Sequence, residues 1–198
     1  MIEKKANTTY PIHEILENRW SPRAFDGRKI EKQKIQRMFE AARWSPSASN
    51  EQPWNFIIGE QGDETFKQIF ETLVEFNQLW VKTAPLAGIT VGQKNTSKNK
   101  PNDWFWFDVG QAMAHLSFQA THEGLFVHQM AGFDREKANE IFSIPKGFEA
   151  ISAFAIGDMG DYKELHPNLQ KIETQERERK NMESFVFSNK FGEKSGLI

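Results

Sequence analysis

Residues 19–54 read RWSPRAFDGRKIEKQKIQRMFEAARWSPSASNEQPW, with a polar cluster at each end. The first cluster, Arg19-Trp20-Ser21-Pro22-Arg23, sets two guanidiniums and a hydroxyl at alternate positions in a segment that proline keeps extended. Side chains at i, i+2 and i+4 of an extended chain point the same way, so Arg19, Ser21 and Arg23 can converge on one anion. Planar guanidinium forks match phosphate oxygens. The second cluster, Ser45-Pro46-Ser47-Ala48-Ser49-Asn50-Glu51-Gln52-Pro53-Trp54, is a turn-rich loop that runs into an apolar stretch. It offers hydroxyls, amides and main-chain N–H groups but no strong general base, which suits gripping a polar heterocycle better than acting on it.

Working outward, apolar spacing predicts helices over 11–17, 31–43 and 63–76, with a short one following to Thr83. The longest predicted helix spans 103–123, its stripe formed by Val109, Ala112, Met113, Leu116 and Ala120. Further helices are expected over 134–142 and 168–182. Short apolar runs at 54–59, 86–92, 125–127 and 151–157 read as strands. Residues 93–102 are polar and read as a mobile loop, with the aromatics Trp104 to Phe107 beyond it as a lid, a substrate wall, or core and dimer contacts. Strands are few for so many helices, which argues for one α+β domain over 1–198, a mixed sheet flanked by helices. The tail is the odd element: Phe185-Val186-Phe187 reads as an apolar strand cut off from the core by a charged helix. Such an edge is an aggregation hazard unless a partner covers it.

The bulk numbers narrow the classes. The chain has 198 residues, net charge −2 and no cysteine, so disulfides, thiolate metal sites and cysteine nucleophiles are excluded. No basic stripe alternates with aromatics, which argues against nucleic acid. The first residues lack the apolar stretch of a signal peptide and no run is long enough for a membrane span; a soluble cytoplasmic protein is expected. Aromatics reach 13%, a surplus that suits an interface. His115 and His122 lie seven apart on one helix without a carboxylate at the intervening turn, so no metal site is expected. Gly157-Asp158-Met159-Gly160 lacks the spacing of a dinucleotide fold. Read alone, the arginine cluster also suits surface ion pairs, 177–180 a solvated helix face, and 46–50 any turn.

Arg-x-Ser-x-Arg, a helix, then Pro-Ser-x-x-Asn-x-Gln-Pro-Trp resembles the signature of the FMN-dependent nitroreductase superfamily. The likeness continues through Asn77-Gln78-Leu79-Trp80 before Ala84-Pro85, then Asp108-Val109-Gly110-Gln111-Ala112. It ends with His128-Gln129-Met130-Ala131-Gly132-Phe133-Asp134 and Arg177-Glu178-Arg179-Lys180. The matches follow the family's order over roughly residues 11–187.

The resemblance implies a nitroreductase-like α+β fold and a homodimer whose C-terminal arms, about 184–198, are exchanged, with two FMN sites at the interface. It implies that Arg19, Trp20, Ser21, Arg23, Arg177 and Arg179 hold the FMN phosphate end. Pro46, Ser47, Ala48 and Asn50 of the other subunit pack on the flavin ring, where some relatives have serine in place of Ala48. Asn77 bonds the ring edge, and Met130, Ala131 and Gly132 approach it, the Ala131 N–H reaching flavin N5. The role of His128 stays open. No side chain is then the nucleophile; NADH or NADPH passes a hydride through N5 to a small electron-poor acceptor, a nitroaromatic or a quinone, in ping-pong order. A reductive dehalogenase, a flavin-fragmenting relative and a non-catalytic flavin-binding or regulatory protein are the alternatives.

Overall fold

Leu86–Gln93 is buried at every position but the last, so it can only be an inner strand with both faces covered. The computed structural model describes residues 2–198 and places this stretch as β2. Its partners are β1 (Trp54–Glu60) on one side and β4 (Phe148–Gly157) on the other, and β3 (Phe126–Met130) closes the far edge in the order β1-β2-β4-β3. Trp54 pairs with Gly92, Leu86 with Ile156 and Phe126 with Gly157. All three pairings are antiparallel, which corrects the expected mixed pairing within one chain while keeping the α+β class.

Alternation along β2 and β4 divides the core. Ala87, Ile89, Val91, Ala153 and Ala155 face one side, under α3 (Glu64–Thr72), α6 (Arg135–Ile141) and α7 (Pro167–Glu173). Leu86, Phe154 and Ile156 face the other, under α2 (Lys32–Arg43) and α5 (Phe105–His122). The predicted α5 stripe is buried in full. The short α1 (Glu14–Asn18) and α4 (Glu75–Val81) complete the helices among the described residues. None is long and apolar enough to cross a membrane.

Three expectations need correction. The helix expected to run to 182 stops at Glu173, because Glu173 turns inward and Arg177 closes on main-chain carbonyls of the N-terminal region, a reach that a continued helix would not allow. Within one chain Phe185–Phe187 pairs with no strand of the sheet: a 3-10 turn at Met182–Ser184 precedes an isolated bridge between Phe187 and Lys194, while Phe185, Phe191 and Leu197 stay exposed. The polar 93–102 segment is a tied turn. Asn95 bridges Pro101, Thr96 N donates to Lys100 O at 2.7 Å, and the Glu51 carboxylate accepts from Ser97 N at 2.6 Å.

Candidate functional site

From Arg19 to Ala24 burial alternates: Trp20, Pro22 and Ala24 face inward, and Arg19, Ser21 and Arg23 face outward. The predicted shared face therefore exists, with Arg19 Nη1 3.4 Å from Ser21 Oγ. Trp20 turns its indole into the core, edge-on to Phe126 at 6.1 Å and with Lys4 Nζ over its ring at 4.7 Å. Arg23 lies 3.5 Å from the carboxylate of buried Glu173. Across this face stand Arg177 and Arg179. Burial, then the Arg179 charge, lowers the pKa of Arg19 from its ordinary value. Burial, then the charges of Arg19 and Arg179, does the same to Arg177. The Arg179 charge thus acts on both Arg19 and Arg177, and positive charge gathered on one face favours an anion there. Arg177 also has local work: it donates to the carbonyls of Lys4, Glu17 and Arg19 at 2.7, 2.8 and 2.9 Å.

β3 connects this cluster to a second group. His128, in the middle of β3, places Nδ1 2.8 Å from the Pro22 carbonyl, so the neutral ring carries its proton there. Its ring lies 4.5 Å from that of Trp80. Burial, opposed by the Pro22 carbonyl and reinforced by Arg23, lowers His128 to about 4. About 7 Å further along the strand, the β3–β4 pairing ends at Met130↔Ala153, and Ala131 beyond it is exposed. Asn77 of α4 donates Nδ2 to Gly132 O at 2.9 Å, as does Val74 N at 3.1 Å. A Cβ on Gly132 would stand 2.8 Å from Asn77 Nδ2, so any larger residue must push this amide aside.

The 45–52 loop is folded tightly, with Ser49, Asn50 and Gln52 at positive φ. It is pinned to α5 by Ser45 Oγ···His115 Nδ1 at 2.9 Å and by Ala48 N donating to buried Asp108 at 3.1 Å. Ser47 Oγ accepts from Gln52 N at 3.0 Å, while Pro46 and Asn50 face outward. Asp108 is near the start of α5, whereas Trp20 packs beside the turn that follows its end. From Asp108 to His122 that helix climbs about 20 Å. One chain therefore assembles Arg19, Ser21, Arg23, Arg177 and Arg179, and separately Asn77 with 130–132, but does not bring 46–50 to the arginines.

Two residues at this site are absent from the sequence reading, Glu173 and Lys4. Glu173 stands one helical turn before Arg177, but that spacing is also what a surface ion pair would use.

The sequence matches the family described as "Nitroreductase family" over residues 16–158. An "Uncharacterized 15.4 kDa protein in ask 5'region" of Mycolicibacterium smegmatis is 30% identical over 145 residues, covering 69% of this chain and 97% of that protein. The "Major NAD(P)H-flavin oxidoreductase" of Aliivibrio fischeri is 34% identical over 77 residues, 37% of this chain and 35% of its own length. Among solved structures, one described as an oxidoreductase containing FMN superposes with a TM-score of 0.89 at 32% identity, covering 95% of this chain and 96% of that one.

Proposed function

We propose, for a chain that belongs to the nitroreductase family, an FMN-dependent oxidoreductase. It uses NADH or NADPH to reduce small electron-poor acceptors such as nitroaromatics or quinones, and it works as a homodimer. The observation that carries this reading is the arginine face of residues 19, 23, 177 and 179, joined by β3 to exposed Ala131 just past the end of the β3–β4 pairing. Three features fit FMN. The arginines repel one another and are matched by a single buried carboxylate. Arg23 Nε is buried without a partner. The Gly132 main chain, whose carbonyl is held by Asn77, follows exposed Ala131, where a flat ring system could approach the backbone.

Bound FMN would supply the redox chemistry, taking a hydride from NAD(P)H at N5 and giving it to the acceptor in ping-pong order. The chain's own groups bind and orient it. Arg19, Ser21, Arg23 and Arg179 hold the phosphate by charge-assisted hydrogen bonds, and Arg177 shapes that segment through the three carbonyls it grips. Ala131 N–H would be the donor offered to N5 and Asn77 would border the ring, its amide already steadied by Gly132 O. Their dipoles favour electron density on the ring without a proton-transfer side chain.

The distance between the arginines and the 46–50 loop supports dimerisation. Pro46, Ser47, Ala48 and Asn50 would complete the site of the partner, and the exposed Trp44, Trp104, Trp106, Phe107 and Phe185 would find cover in the same interface. Purified protein is expected to show flavin absorbance that bleaches with NADH or NADPH without oxygen and returns with a quinone or nitroarene. Arg19→Ala with Arg23→Ala should release the flavin. A colourless wild type that cannot take up FMN refutes the reading; flavin that no nicotinamide bleaches would leave a binding role.

A further inference from the structure

The last residue of α7 and the non-helical segment just beyond it present two oppositely charged side chains, Glu173 and Arg177, that grip the Arg19–Ala24 segment at its two ends. Glu173 is 2% exposed, and its Oε1 accepts from Arg23 N at 2.6 Å and Ala24 N at 3.2 Å. Arg177 holds the Arg19 carbonyl at 2.9 Å. Lys4 closes the group, donating Nζ to Glu173 O at 2.8 Å while its own carbonyl accepts from Arg177 at 2.7 Å. Glu173 Oε2 lies 3.5 Å from Arg23 Nη1, and neither Oε2 nor Arg23 Nε has a hydrogen-bond partner. The ion pair is aligned but incompletely hydrogen-bonded, and Arg23 keeps donor capacity free.

A buried carboxylate inside an anion site subtracts from the field that attracts the anion. If its charge were all that mattered, removing it would tighten anion binding. Its geometry points the other way. Both amides at the end of the segment and the Arg23 fork lie against this one carboxylate, and without it two main-chain N–H groups and a half-buried guanidinium lose their anchor.

We propose that Glu173 is a positioning residue for phosphate recognition: it aims Arg23 so that Arg19, Ser21 and Arg23 meet a single phosphate, and preference for FMN over riboflavin depends on it. This rests on the flavin reading above. The field argument and the positioning argument predict opposite signs, so binding separates them.

The experiment titrates FMN and riboflavin into flavin-free wild type, Glu173→Gln, Arg23→Ala and the double variant, with thermal melts as a check on folding. Glu173→Gln should weaken FMN about tenfold and leave riboflavin within about twofold, since only the phosphate end is disturbed. In the Arg23→Ala background the same change should add little, because the two residues act through one contact. Glu173→Asp keeps the charge but draws it back from the Arg23 amide, so it should lose FMN selectivity in the same direction and serves if the Gln variant does not fold. Tighter or unchanged FMN binding, equal loss of both flavins, or additive effects in the double variant overturns the proposal. A wild type that binds neither flavin overturns the flavin reading and this inference together; a selective wild type whose selectivity survives Glu173→Gln overturns this inference alone.

Discussion

His128 makes the chain's stability fall with acid by an amount that the structure sets. Its imidazole is buried against Trp80 and bonded through Nδ1 to the Pro22 carbonyl, which lies between Ser21 and Arg23. Protonation must place a charge in this buried site beside the Arg23 and Arg19 guanidiniums, so the folded value drops from 6.5 to about 4. Below about pH 6.5 the unfolded chain binds the proton that the folded chain refuses, and stability is lost as the pH falls until it passes about 4, where both forms are protonated. The whole difference corresponds to about 3 kcal/mol, of which about 2 kcal/mol is lost between about pH 7.5 and pH 5. Urea unfolding of wild type and His128→Gln at those two pH values isolates it, because Gln can still donate to Pro22 O but does not titrate. Wild type should lose about 2 kcal/mol more than the variant over that range. The ring signals of His128 should also stay at their neutral positions until well below those of an exposed histidine. Equal losses in the two proteins, or a His128 titration near the ordinary value, would refute the reasoning.

Gly132→Ala forces its Cβ to 2.8 Å from Asn77 Nδ2 and 3.0 Å from Val74 Cγ2, which displaces the amide from Gly132 O. A cost of about 1–3 kcal/mol in denaturant unfolding is expected, together with weaker flavin retention; unaltered flavin affinity would separate this loop from the ring. Removing residues 184–198 takes away the exposed Phe185, Phe191 and Leu197. Sedimentation should show a weakened dimer and absorbance a matching fall in flavin content, and a truncated chain that stays dimeric and fully loaded would refute arm exchange.

Periodicity alone was enough for α2, α5, β1 and β2, because each has one or two faces that must leave water, and the repeat of apolar residues states which. The alternation at 19–24 belongs to the same class: proline and the i, i+2 rule place Arg19, Ser21 and Arg23 on one face before any fold is known, and the ordered motifs carried the family. Local pattern could not reach the rest. Glu173 bonds Arg23 across 150 positions, and Arg177 bonds Lys4 across 173. Charged residues at the end of a polar helix look the same whether they face water or a distant backbone, so the early stop of α7 was unreadable. The antiparallel course of all three strand pairings, the Glu51–Ser97 tie of the 93–102 turn and the length of α5 between the 46–50 loop and the arginines are likewise properties of packing. The sequence by itself determined that Arg19, Ser21 and Arg23 share one face and that a turn-rich polar loop leads into β1. The tertiary structure alone decided which of them one chain unites, since that depends on contacts between segments whose side-chain patterns carry no record of each other.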